Sequence, residues 1–105
     1  MGLFDFGDRA MVKSIANRVN IGIGVLANEL DHSNGVASIA AKGIAGGIKR
    51  EIKEMRRIAN SLSESSRSSI LITMEGRNIQ LPAYFFTLKM ISNDCKNAIG
   101  FEIFE

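Results

Sequence analysis

Ala41, Ala45, Ile48, Ile52, Met55, Ala59 and Leu62 fall at alternating spacings of four and three. That alternation is the apolar seam of a helix packed against another helix. Ile44 and Ile58 widen the seam on its flanks, while Lys49, Arg50, Lys53, Arg56 and Arg57 point elsewhere. A second seam precedes it: Val12, Ala16, Val19, Ile23, Leu26 and Leu30 repeat the same spacing, broadened by Ile15 and Ala27. Between the two lies Asp31-His32-Ser33-Asn34-Gly35, a turn by composition, with Ser33 or Asn34 placed to cap the helix that follows. So short a connection between seamed helices predicts an antiparallel helical hairpin over residues 8–63.

The hairpin's ends follow from local chemistry. Asp8 is the expected N-cap of the first helix, with the apolar lead-in Leu3, Phe4 and Phe6 folding back onto it. A start near Gly35 or Val36 and an end near Ser63 are expected for the second. Gly22 and Gly24 each cost a helix interior about 1 kcal/mol against Ala, and Asn20 to Val25 also alternates as a strand would. The seam runs unbroken through both glycines, which favours helix. The Gly46-Gly47 pair is a place where the second helix can kink.

Beyond the Ser-rich joint Ser61 to Ser69 the period changes. Ile70, Ile72 and Met74 alternate with Leu71, Thr73 and Glu75, which predicts a strand. Gly76-Arg77 reads as a two-residue type II′ turn, returning through a second strand from Asn78 to Leu81. From Pro82 to Asn97 two patterns compete. Pro82 suits a helix start, and Tyr84, Leu88, Ile91, Cys95 and Ala98 keep the four-three spacing; Phe86, Leu88 and Met90 also alternate as in a strand. Helix is favoured. Ile99 to Phe104 reads as a short closing strand. The expected fold class is α+β in a single domain over 1–105: the hairpin, then a smaller β/α portion over 69–105 with a small antiparallel sheet and one more helix.

Composition adds limits. The chain has 105 residues, 46% hydrophobic and 23% charged, which suits one ordinary globular core. Its single Cys95 forms no internal disulfide, so nothing demands an oxidising compartment. The acidic start has no secretory character and no apolar run reaches bilayer length, so a cytoplasmic protein is expected. The formal net charge of +2 is too small to imply a nucleic-acid partner by itself. The charge is unevenly placed, however, since Lys49, Arg50, Lys53, Arg56 and Arg57 concentrate it on one helix.

Candidate chemistry is sparse. Gly22-Ile23-Gly24-Val25-Leu26-Ala27 spells one form of the dinucleotide-binding fingerprint. That motif needs its glycines where a strand turns into a helix, and here a helical seam already runs upstream. Helix-packing glycines are the better reading, and no cofactor is expected. His32, the one histidine, sits in the turn without ligands at a recognised metal spacing. No nucleophile–base grouping has a local signature, so an enzyme is not expected. The basic positions Lys49, Arg50, Lys53, Arg56 and Arg57 are candidate partner-binding residues. Gly22, Gly24, Ala41, Gly43, Ala45 and Gly47 are candidate packing residues for an oligomer. The expected function is a non-catalytic protein-interaction or assembly protein acting as a homo-oligomer. Two alternatives stand beside it: a membrane-surface protein using Leu3, Phe4, Phe6 and the basic face, and a nucleic-acid binder through residues 49–57.

Overall fold

In the computed structural model, residues 2–34 and 37–105 are described, with side chains from residue 6 onward. The element order is α1 (Gly2–His32), α2 (Ile39–Asn60), α3 (Glu64–Ser69), β1 (Leu71–Met74), β2 (Arg77–Gln80) and α4 (Leu81–Ile99). The class is α+β: a helical hairpin, a two-stranded antiparallel sheet and a long closing helix.

The α2 seam is buried throughout, and the α1 seam is buried over its first part. In α2, Ala41, Ala45, Ile48, Ile52, Met55 and Ala59 are all buried, and Leu62 is buried just past its end. In α1, Val12, Ile15, Ala16, Val19 and Leu26 are buried, but Ile23 and Leu30 are only half-covered. Gly46 and Gly47 do not interrupt α2.

The ends of the hairpin differ from expectation. α1 begins at Gly2, so Asp8 is inside the helix and does not cap it; the apolar positions before it carry the helix upstream. The idea that Leu3 and Phe4 fold back falls on side chains outside the described residues, and Phe6 stands exposed. α2 starts at Ile39 because the Ser38 hydroxyl accepts a hydrogen bond from the Ala41 amide at 3.1 Å. Gly35 and Val36, the expected start, lie outside the described residues. Ser33 and Asn34 close α1 instead: the Ser33 hydroxyl donates to the Glu29 carbonyl at 2.9 Å, and Asn34 turns with φ 57°. α2 ends at Asn60, three residues early, with the Ser61 amide bonded back to Ile58.

The Ser-rich joint folds into α3, capped by Ser63, whose hydroxyl accepts from the Ser66 amide at 3.2 Å. Arg67 in α3 donates to the Leu62 carbonyl at 2.9 Å, beyond the end of α2. In the sheet, Met74 pairs with Arg77, which makes the loop Glu75-Gly76 rather than Gly76-Arg77. Their φ values of 51° and 78° define a type I′ turn, the mirror-image form whose twist matches the strands. Leu81 starts α4 rather than ending β2, although its amide still donates to the Ile70 carbonyl at 3.0 Å and extends the ladder by one step.

α4 resolves the competition at 82–97 in favour of helix, with Pro82 in its first turn. Residues 99–104 are not a strand. Ile99 is the last helical residue, Gly100 turns at φ 89°, and 101–105 run irregularly back along the molecule. Ile103 is buried, and the Phe104 amide donates to the buried Ser92 hydroxyl at 3.1 Å. A side chain on α4 takes the place of a strand partner for this tail.

A polar link centred on Tyr84 ties α1 to β1 and α4. The Tyr84 hydroxyl lies 2.8 Å from Asn20 Oδ1 and 3.2 Å from the Ala16 carbonyl, so its hydrogen is held between two acceptors on α1. Asn20 in turn donates through Nδ2 to the Thr73 carbonyl of β1 at 3.0 Å. α1, β1 and α4 therefore meet at one side chain. Burial raises the Tyr84 pKa well above the usual value.

Candidate functional site

Past Tyr84, α4 and α1 run on without closing over each other. Ile23, Leu26 and Leu30 of α1 form one wall of an open groove, and Ile91, Cys95 and Ala98 of α4 form the other. Its volume is about 420 Å³. These residues come from the two four-three seams, which explains why the groove is apolar: the spacing aims them at a neighbour, and none fills the space. Asp31 and Asp94 line it as well, one from each wall, both exposed. No Lys or Arg lines it, and neither aspartate makes an ion pair among the described residues. Burial pushes the Cys95 thiol pKa up, so the thiol stays protonated at neutral pH, pointing toward the Ser92 carbonyl at 3.8 Å.

The expected basic site is differently arranged. Lys49 pairs with the Glu105 carboxylate at 3.2 Å and stands 5.5 Å from the centre of the Phe101 ring. Arg56 sits 4.4 Å over the Phe104 ring and donates to the Glu105 carbonyl. Arg57 pairs along its own helix with Glu54, a bond that lowers the Glu54 pKa and raises that of Arg57. Arg50 and Lys53 are exposed and make no ion pair among the described residues. Much of this face is thus a seat for the tail 101–105, which holds by cation–π and charge contacts.

The small-residue positions divide into two groups. Ala41 and Ala45 are fully buried within the hairpin, and a Cβ built on Gly22 would fall 2.9 Å from Ile48 Cγ1. Those three serve the contact between α1 and α2. Around Gly24 and Gly43 a Cβ meets nothing within 4 Å, and at Gly47 it meets only the Arg50 guanidinium at 3.9 Å. Gly24 and Gly43 face open space, and Gly47 lies beside the Arg50 side chain. Gly22-Ile23-Gly24 lies mid-helix, not at a strand end. His32 closes the last turn of α1, its Nδ1 2.7 Å from the Asn28 carbonyl.

Among the described residues no three His, Cys, Asp or Glu side chains gather as a metal site. None of the described helices is long and apolar enough to cross a membrane. Comparison with known proteins finds no matching family model, no similar curated protein and no similar solved structure. Sequence reasoning missed the groove, as it missed the seating of the tail on Lys49 and Arg56. The groove's apolar residues were visible as seam positions, but the gap between α1 and α4 is a matter of tertiary packing that no single seam encodes.

Proposed function

We propose that this protein is a non-catalytic interaction or assembly protein that works as a homo-oligomer and binds a further protein. The observation that carries the reading is the apolar groove between α1 and α4, edged by Asp31 and Asp94. A groove of this form suits an amphipathic helix laid along it, with apolar side chains inward and cations at the edge. Its lining is aliphatic apart from two exposed carboxylates and a thiol held protonated, which is poor equipment for acid–base or nucleophilic work. A cytoplasmic setting goes with this reading, since Cys95 has no second cysteine to pair with. Sedimentation velocity on the full chain tests it. Monomer depletion is expected on going from low to high micromolar protein; a chain still monomeric at high micromolar overturns the reading.

Phe6 favours a second reading. It is 75% exposed; Arg9 follows it by three residues and Lys13 follows Arg9 by four. An aromatic side chain beside cations also suits an anionic membrane surface. Co-sedimentation with anionic vesicles at low salt is the expected result there, and its failure removes that reading. Nucleic-acid binding through residues 49–57 has less to draw on, because Lys49, Arg56 and Arg57 are already engaged within the chain. A salt-dependent shift with DNA or RNA, lost when Lys53, Arg56 and Arg57 become Glu, is its test.

A further inference from the structure

We propose that the groove between α1 and α4 receives the first turns of α1 from a second copy of this chain, with Phe6 on the apolar lining and Arg9 and Lys13 against Asp31 and Asp94. The inference rests on the homo-oligomer reading and names its contact.

Three observations converge on that occupant. The first is apolar surface without cover. Phe6 is 75% exposed on a helix that extends well past its partner: α1 has 31 residues and α2 has 22. The groove leaves Ile23, Leu30, Ile91 and Cys95 half-covered, and its volume of about 420 Å³ has room for an aromatic ring.

The second is charge. Two acidic side chains and no basic one line the groove. Phe6, Arg9 and Lys13 share a helix face through spacings of three and four. Neither these two cations nor the two groove aspartates make an ion pair among the described residues. Of the acidic residues that flank Phe6 in sequence, Asp5 and Asp8, the latter lies on the side of Arg57 in α2, whose pKa it helps to raise. Phe86 is the rival aromatic, 64% exposed beside Met90 on α4. It has only Lys89 among its near neighbours in sequence, so it offers one cation where the groove presents two anions.

The third is reach. Phe6 and Leu26 stand twenty positions apart on one continuous helix, about 30 Å by the rise per residue. A chain therefore cannot place its own Phe6 in its own groove. The contact is between copies. Because the two surfaces differ, the contact either pairs reciprocally about a two-fold axis or runs head-to-tail into a ring or an open filament.

Charge reversal tests the contact on the full chain, with sedimentation velocity as the readout and circular dichroism confirming the fold of each variant. Phe6→Glu is expected to weaken self-association about tenfold or more, as loss of a central aromatic anchor does. Phe86→Glu leaves it unchanged. The double variant Asp31→Lys/Asp94→Lys and the double variant Arg9→Glu/Lys13→Glu each stay monomeric alone, because groove and helix end then carry the same sign. Mixed in equal amounts they associate, since each supplies the charge the other lacks. If the wild-type chain is monomeric throughout, both the contact and the homo-oligomer reading fall. If it associates and these variants associate equally well, the oligomer reading stands and this contact is overturned. Folded double variants that stay monomeric when mixed also overturn it.

Discussion

The two sides of α4 past Leu88 have met opposite fates. On one side Ser92 and Ile99 are buried, with the tail 101–105 bonded to Ser92 and its Ile103 also buried. On the other side Ile91, Cys95 and Ala98 look across an open groove at α1. Both sides belong to one helix, and each carries apolar residues between polar ones. The difference comes from chain topology: Gly100 turns left-handed and sends the remaining residues back over one side only. An apolar seam in a sequence marks surface that needs cover, and whether the same chain supplies it is decided elsewhere.

The sharpest way to break the comparison is to truncate one side chain from each side. Ile99→Ala, on the covered side, is expected to lower stability by about 2–5 kcal/mol, as loss of a fully buried Ile does. Ile91→Ala, on the open side, leaves room that water already reaches and is expected to cost about 1 kcal/mol or less. Denaturant unfolding of the two variants checks this, and equal losses would mean that the groove is closed in solution.

Tyr84 marks the point where the contact between α1 and α4 stops. Tyr84→Phe strands the Asn20 amide oxygen and is expected to cost about 1–2 kcal/mol. The same group predicts a pH dependence. Its folded pKa is raised by burial, so folding favours the protonated phenol. Its contribution is complete below the unfolded value near 10 and is lost as pH rises through and beyond it. Thermal melts should therefore fall more steeply above about pH 10 in the wild type than in Tyr84→Phe.

The glycines of α1 give a smaller pair of effects with opposite signs. Gly22→Ala sets a methyl 2.9 Å from Ile48 Cγ1, and the strain of about 1–3 kcal/mol outweighs the gain in helix propensity. Gly24→Ala meets nothing within 4 Å and is expected to stabilise by up to about 1 kcal/mol. Melting temperatures moving in opposite directions are the expected result. Smallest of all, Glu75→Asn relieves the φ of 51° in the type I′ turn and should stabilise by about 0.5 kcal/mol, read by denaturant midpoint.

The hairpin was legible in the sequence because both seams keep their period over four or more turns, and an apolar residue at each step is hard to place otherwise. Element ends were less so. Ser38 rather than Ser33 or Asn34 caps α2, and several residues in 31–38 have the chemistry to do it. The hairpin turn was displaced by one residue because Gly76 supplies positive φ in either register, and only the pairing of Met74 with Arg77 selects Glu75-Gly76. Ile99 to Phe104 alternates like a strand but has no open ladder to join; it packs by side chains instead. Of the candidate site residues, the basic ones stand out in the sequence as partner-binding positions, and nothing in their own helix predicts that Phe101, Phe104 and Glu105 return to Lys49 and Arg56. The glycines and alanines were read as one packing surface. Full burial of Ala41 and Ala45 and the closeness of Ile48 to Gly22 set these three, used within the hairpin, apart from Gly24, Gly43 and Gly47.

Cys95 offers the most direct reading of the open side, because it is the chain's single thiol and lies in the groove. Its rate of modification by a small neutral thiol reagent can be followed as protein concentration rises, at fixed pH and reagent excess. If another copy covers the groove, the rate falls as the chain associates, and the fall disappears in Phe6→Glu. A rate that stays constant while sedimentation shows the chain associating would contradict the account.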